Sequence, residues 1–291
     1  MPRFSLIVAT KGRTDELERL LQSLAHQDGY KDFELIVVDQ NPDDRLVPVL
    51  SRFSQDINCS HLRCGPGVSK ARNMGLSACR GELIAFPDDD CWYPPETLKN
   101  IDSWFTGNPG YGILSVTVRD EDGVKSANKW KAESCDLAPI NIFRTSATYT
   151  FFVRSSDWKR RVFFDETLGP ASGTLFGSGE DTDFVLSLMS KGVRGRFTSV
   201  WHVGHPRRDM FSGHIKRERA LSYGMGMGRV LRKHSLLMLG GALFGFDLFR
   251  TFKGLLTGRA NAGILCWAHG QGILRGYLAK APRPSAAVQA A

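Results

Sequence analysis

The first hundred residues alternate short apolar runs with segments whose leucines recur every three or four positions. "FSLIVA" (4–9) and "FELIVVD" (33–39) are continuous apolar runs of strand length, the pattern of strands covered on both faces. Between them "DELERLLQSLAHQ" (15–27) places Leu17, Leu20, Leu21 and Leu24 on one helical face. A polar turn "QNPDD", an apolar-striped segment to Phe53, a weaker strand "INCSHL" (57–62), a helix over "GVSKARNMGLSAC" (67–79) and a fourth strand "GELIAF" (81–86) follow. This rhythm predicts an α/β fold: right-handed βαβ crossovers and a mostly parallel, Rossmann-like sheet flanked by helices.

From residue 110 on the pattern loosens. "YGILSVTVRDEDGVKSA" (111–127) predicts a hairpin turning at Asp122-Gly123, and "TYTFFV" (148–153) a strand. "GPASGTLFGSGEDTDFVLSLMSKG" (169–192) is a Gly/Ser-rich loop, a candidate mobile lid, that enters a helix near Glu180. "GRFTSVWHVGHP" (195–206) reads as a strand stopped by Pro206. The remainder predicts a helical C-terminal extension with breaks near "GMGMG" and "TGRANAG", then a disordered tail over 281–291.

Composition narrows the class. With 42% hydrophobic residues in 291, the chain can bury a full core. Its six cysteines form no CxxC pair, which predicts reduced thiols and argues against a zinc site or a disulfide framework. The apolar run at the N-terminus is too short for a signal-peptide core, and "SLLMLGGALFGFDLF" (235–249) is shorter than a bilayer span and carries Asp247. A cytoplasmic protein without a transmembrane helix is therefore expected. The net charge of +8 is unevenly spread: residues 191–291 hold 17 Lys/Arg against 3 Asp/Glu, whereas residues 1–190 hold 21 against 27. So basic a final third predicts an anionic partner.

The chemistry concentrates in two acidic clusters. In "FPDDDCWYPPE" (86–96) an apolar run ends in Asp88, Asp89 and Asp90, like charges that call for a cation unless they merely cap a helix starting near Pro94 and Pro95. Ligands of parallel sheets bind beyond the carboxyl ends of the strands, where Asp39, Asp88–Asp90 and the Thr10–Arg13 turn would all lie. "GEDTD" supplies Glu180, Asp181 and Asp183 where a glycine-rich loop becomes a helix; helix capping would account for one or two of them. His202 and His205, at the end of the last strand, are of the type that ligates divalent metals.

Together these segments resemble the family 2 glycosyltransferases of the GT-A fold, in the bacterial polysaccharide-building type. The similarity covers roughly residues 4–230: "FSLIVATKGR", "ELIVVDQNPDDR", "GPGVSKARNMGLSACRGELIAFPDDD" with its DxD motif, "FDETLG" and "GSGEDTDF" with its ED motif occur in family order. "YGMGMGRVLRKH" (223–234) resembles the segment after the catalytic domain in such members. The resemblance implies a catalytic domain over 1–210, with a nucleotide-binding half (1–106) and an acceptor half (107–210), followed by helices over 211–280. It implies an inverting transfer from a nucleoside-diphosphate sugar to a saccharide or lipid-linked saccharide, with Mg²⁺ or Mn²⁺ as cofactor. Asp90 and His205 would then hold the metal, with His202 in reserve, and Asp88 and Asp89 would serve the donor. Asp39, Thr10, Arg13 and Arg72 would contact nucleobase, ribose or diphosphate. Asp181 would be the general base, and Glu180 would position base or acceptor. Two departures stand out: Cys91 replaces a fourth acidic residue common in relatives, and "ATKGR" stands where "PTYNR"-like turns are frequent.

Three rival readings fit the sequence less well. A sugar nucleotidyltransferase would need a glycine-rich, basic triphosphate loop after the first strand, and "ATKGRTDE" has one glycine. A nucleic-acid binder would interleave its charges with stacking platforms rather than with Leu, Phe and Met. An inactive scaffold would not need both acidic motifs. Nucleic acid is therefore not an expected partner. The basic, apolar C-terminal helices instead predict an anionic membrane surface, peripheral on the cytoplasmic face of the inner membrane, with packing against the rest of the protein or a dimer contact as the alternatives.

Overall fold

The structure is a computed structural model and describes residues 1–124, 130–158, 162–206 and 216–280. Among them, β1 (Phe4–Thr10), β2 (Phe33–Asp39), β3 (Cys59–Arg63), β4 (Leu83–Ala85), β5 (Ile113–Arg119), β6 (Cys135–Asp136), β7 (Phe151–Arg154) and β8 (Gly195–Gly204) form one sheet. Its order is β3-β2-β1-β4-β7-β5-β8-β6. The first four of these neighbours run parallel; β7 is inserted antiparallel to both β4 and β5, and β8 returns parallel to β5. The helices are α1 (Asp15–Ala25), α2 (Val47–Arg52), α3 (Val68–Ala78), α4 (Thr97–Gly107), α5 (Ser155–Trp158), α6 (Glu180–Ser190), α7 (Arg217–Lys233), α8 (Leu237–Leu256) and α9 (Ala260–Leu278).

The residues divide into two compact units, each discontinuous in sequence. The first comprises Met1–Pro66, Lys70–Phe163 and Phe184–Arg208; the second comprises Gly67–Ser69, Phe164–Asp183 and Asp209–Ala291. The first unit owes its order to the apolar runs. Every residue of β2 is buried, as are Leu17, Leu20, Leu21 and Leu24 of α1. Burial of such side chains contributes about 1.5–3 kcal/mol apiece before conformational entropy is set against it. Phe86, Phe151 and Phe184 meet with ring centroids 5.6–6.0 Å apart, locking the end of β4 to β7 and to α6.

Several elements differ from the sequence reading. Only Leu83–Ala85 of "GELIAF" pair as a strand, and Thr148–Thr150 form a 3₁₀ turn rather than the start of β7. The turn after β5 is present, with the Gly123 N–H donating to Asp120 and φ +74° at Gly123. The second arm of the expected hairpin and the 281–291 tail lie outside the described residues.

The largest correction is in the second unit. "GMGMG" does not break the chain but sits inside the 17-residue α7. A Cβ on Gly224 would lie 2.0 Å from the His269 carbonyl oxygen, and one on Gly228 would lie 2.1 Å from that of Ile273. These two glycines let α7 and α9 touch backbone to backbone, answered from α9 by Gly272 and Gly276. The helix ends later. Ser235 takes φ +57°, while its N–H donates to Arg232 and that of Leu236 to Leu231, the paired bonds of a left-handed helix stop. The second break falls at Thr257 to Arg259, within "TGRANAG" as expected.

Candidate active site

In the first unit the chain runs from β1 to β2 and β3 on one side and to β4 on the other, so a crevice opens at the carboxyl ends of β1 and β4. Thr10 ends β1, buried and in register with Asp39 at the end of β2. The Asp39 carboxylate is fully buried and saturated with donors. Asn41 gives it a backbone and a side-chain N–H, both at 2.8 Å, and the His61 Nε2 lies 3.0 Å from its other oxygen.

Asp88, Asp89 and Asp90 follow β4 in a turn closed by the Cys91 N–H on the Asp88 carbonyl. They are not helix caps, because α4 starts only at Thr97. Cations do sit between them. Arg72 of α3, itself buried, bonds Asp88 at 3.0 Å, and Arg13 bridges Asp89 and, at 3.1 Å, Asp90. Burial still pushes the Asp89 carboxyl above its ordinary range; Arg13 opposes that shift and the charges of Asp88 and Asp90 add to it. Arg19 of α1 ties the turn down from beneath, donating to the Asp90 carbonyl at 2.8 Å with its guanidinium 4.4 Å from the Trp92 ring centroid.

His205 reaches this turn because of how β8 ends. Register slips between Val116 and Thr117 of β5, whose partners are Thr198 and His202, so β8 bulges outward before its last residues. Gly204 then exchanges both backbone hydrogen bonds with Trp92, at 2.8 and 3.0 Å. A Cβ at Gly204 would lie 1.9 Å from the Trp92 ring, so this approach requires glycine. The next residue, His205, is buried, stacks on Tyr149 at 4.4 Å and donates Nδ1–H to the Pro206 carbonyl at 2.7 Å. That bond turns Nε2 toward Asp90 Oδ1, at 3.5 Å.

The ligand atoms of Asp90, Cys91 and His205 lie within 4.8 Å of one another. Burial, with the charges of Asp88 and Asp90, pushes the Cys91 thiol well above its ordinary range. Sulfur is a soft ligand, and the harder members of the set are one carboxylate and one imidazole. This fits Mg²⁺ or Mn²⁺, which takes few protein ligands beside substrate phosphates, and the imidazole suits Mn²⁺ better. His202, the reserve ligand, stands apart from this group opposite Thr117. Burial and then Arg119 lower its pKa below the ordinary range.

The second unit holds the other acidic cluster. Glu180, Asp181 and Asp183 form the first turn of α6, where carboxylates suit the helix dipole. Residues 177–179 of the approaching loop pack on α7: the Ser178 hydroxyl donates to the Tyr223 carbonyl at 2.8 Å, and a Cβ on Gly226 would lie 2.1 Å from the Ser178 carbonyl oxygen. Gly179, at φ +93°, turns the chain into the helix. Asp181 is half-buried and accepts the Thr182 N–H at 2.6 Å. Glu180 is buried, its carboxyl packed where a Cβ on Gly169 would sit.

Asp183 points elsewhere. It is buried between Lys233 and His234, both at 2.8 Å, and Lys233 also bonds Asp165 at 2.9 Å. For Asp165, burial alone would raise the pKa, but Thr167 and Lys233 together bring it below the ordinary range. For Lys233, burial is outweighed by Asp183 and Asp165, and its pKa rises.

Sequence reasoning named Asp88, Asp89, Asp90, Glu180, Asp181 and Asp183, and with them the partners Arg13, Arg72 and His205; it missed Asp165 and the remaining partners. Arg19, Tyr149 and His61 gave no signal, because each depends on a contact across the sheet rim. Lys233 and His234 were legible only as cations in the last turn of a helix.

Known proteins agree with this architecture. The model of the family described as Glycosyl transferase family 2 matches residues 5–164. The poly(ribitol-phosphate) β-N-acetylglucosaminyltransferase TarS of Staphylococcus aureus is 28% identical over 194 residues, which cover 60% of this chain and 32% of that protein. A pre-mycofactocin glycosyltransferase of Mycobacterium tuberculosis is 26% identical over 290 residues, 93% of this chain and 57% of that one. The chain therefore spans about a third to just over half the length of these curated relatives. Among solved structures, TarS 1–349 in complex with UDP-GlcNAc superposes with a TM-score of 0.61 at 19% identity, covering 94% of this chain and 92% of that one. The mannosyltransferase PcManGT of Pyrobaculum calidifontis, in complex with GDP-Man and Mn²⁺, gives 0.56 at 17% identity, covering 99% and 79%. The fold is that of the GT-A glycosyltransferases.

Proposed function

Because this chain belongs to glycosyl transferase family 2, we propose that it moves a sugar from a nucleoside-diphosphate sugar to an acceptor hydroxyl, with inversion at the anomeric carbon and with Mg²⁺ or Mn²⁺ bound. The observation that carries this reading is the approach of His205 Nε2 to Asp90 beside a carboxylate turn that Arg13 and Arg72 hold in place. Asp90 and His205 would hold the ion, which when bound supplies positive charge to the departing diphosphate. Thr10, Arg13, Arg72, Asp88 and Asp89 would line the diphosphate and ribose. Asp39, at the end of β2, would orient the nucleoside from a carboxylate that His61 and Asn41 fix in place.

The acceptor oxygen attacks the anomeric carbon from the side opposite the diphosphate; the new C–O bond forms as the C–O bond to phosphate breaks. The leaving diphosphate keeps the bonding pair. Asp181 takes the acceptor's proton, and Glu180 positions base or acceptor. The names of the relatives support a bacterial cell-surface polysaccharide or glycolipid as product. A panel of UDP-, GDP- and dTDP-sugars with Mn²⁺ or Mg²⁺, read by calorimetry and slow donor hydrolysis, tests the reading. At least one sugar nucleotide should bind and hydrolyse only with the ion present; binding of none would refute it.

A further inference from the structure

In α8 the buried residues are Gly240, Asp247 and Gly254, one every seventh position and hence a single stripe. At 100° per residue the directly opposite stripe runs through Met238, Phe249, Phe252 and Leu256, which are 90%, 61%, 58% and 88% exposed. This inverts the usual arrangement. A helix resting on a core turns its apolar side inward and its charges to water, whereas α8 hides its acid and shows its aromatics. Asp247 is held inside by a 2.5 Å contact with His269 of α9. Leu274 and Leu278 of α9 are exposed as well, at 52% and 67%.

The charges choose among the occupants that could cover such a face. From residue 235 to 280 Asp247 is the sole carboxylate, and it is buried; Arg250, Lys253, Arg259, Arg275 and Lys280 are the cations. By the same rotation Lys253 lies at the edge of the apolar stripe, about 60° from its centre, while Arg250 lies about 120° from it, toward the buried side. Two copies placed face to face would bring like charges together. Anionic headgroups would neutralise them while the aromatics entered the acyl boundary. Among the described residues no helix is long and apolar enough to cross a membrane, so α8 would lie in the interface along its length of about 30 Å.

We propose that the outward face of α8, with Phe249 and Phe252 at its centre and Lys253 at its edge, docks on a lipid surface carrying anionic headgroups. The inference is independent of the transfer chemistry. The test is sedimentation of the full chain with phosphatidylcholine vesicles, with and without about one third phosphatidylglycerol, at low and high salt. The parent should pellet with anionic vesicles at low salt and remain in solution with neutral ones. The variant F249Q/F252Q should partition at least about tenfold less, since each ring removed from the interface carries about 1 kcal/mol or more. Its thermal midpoint and sugar-nucleotide affinity should stay as in the parent. Parent protein left in the supernatant, or a variant that pellets equally, would overturn the proposal. So would a dimer in sedimentation velocity that the variant abolishes, because the face would then belong to a second copy. Should F249Q/F252Q misfold, K253Q takes its place: a weakened preference for anionic over neutral vesicles supports the proposal, and an unchanged preference refutes it.

Discussion

Two clusters of opposed charge organise the protein, and they balance differently. At the sheet rim Asp88, Asp89 and Asp90 share Arg13 and Arg72, and burial still raises the Asp89 pKa. In the second unit Asp183 and Asp165 share Lys233, with His234 adding a bond, and there the Asp165 pKa falls. Each cluster holds one carboxylate more than its Arg and Lys side chains, but the first turns Asp90 Oδ1 toward His205, whereas in the second, one Asp183 oxygen is bonded to Lys233 and the other to His234, which fixes the first turn of α6. Similar residue types therefore do different work: on the proposed function one set would receive a ligand, while the other holds a helix start in place.

That contrast can be broken most sharply at the first turn of α6, where neighbouring carboxylates have opposite assignments. Asp181→Asn should lower turnover by about 10²- to 10⁴-fold while sugar-nucleotide affinity and stability hold, as steady-state kinetics and calorimetry would show. Asp183→Asn should do the reverse. It leaves Lys233 and His234 facing a neutral amide in a buried setting and should lower stability by about 2–3 kcal/mol in urea unfolding, with donor affinity nearly unchanged.

Packing in the second unit offers the next test. At Gly224 a methyl group would sit 2.0 Å from the His269 carbonyl oxygen. Gly224→Ala should therefore destabilise by about 1–3 kcal/mol, against the gain that alanine brings to an exposed helix. An increase in stability would show that α7 and α9 do not touch as described.

The smallest effect is in the pH profile, and it has opposite signs in the two clusters. Asp165 has a depressed folded pKa, so its contribution is present above the unfolded value of about 3.9 and is lost as pH falls through the folded one. Lys233 has a raised pKa; its contribution is complete below about 10.4 and is lost as pH rises through the folded value. Asp89 has a raised pKa, so its ionised form weighs against the fold above that value and the penalty lifts as pH falls. Urea midpoints measured from about pH 3 to 8 should show Asp165→Asn losing its deficit against the parent in acid, and Asp89→Asn losing whatever advantage it has there.

Much of the first unit was legible because its strands are nearly continuous apolar runs and its acids stand at strand ends. The ends of β4 and β7 were less so, since tertiary pairing decides which residues of an apolar run join a ladder. β6 has two residues and no pattern at all. "GMGMG" misled because glycine disfavours helix locally, and only the presence of α9 shows that the missing side chains permit contact. His205 could be named from its place after a strand, but the glycine beside Trp92 that brings it to Asp90 could not. Lys233 and Asp183 are paired across 50 residues that no local signal spans.

If Asp90 is an ion ligand for the sugar nucleotide, titration of that donor into the parent and into Asp90→Ala, each with Mn²⁺ and with EDTA, will show it. The parent should bind tightly only with Mn²⁺, and Asp90→Ala should bind weakly in both conditions, no better with Mn²⁺ than the parent with EDTA, while keeping its fold by circular dichroism. A variant that bound and turned over the donor like the parent, with EDTA present, would contradict that role.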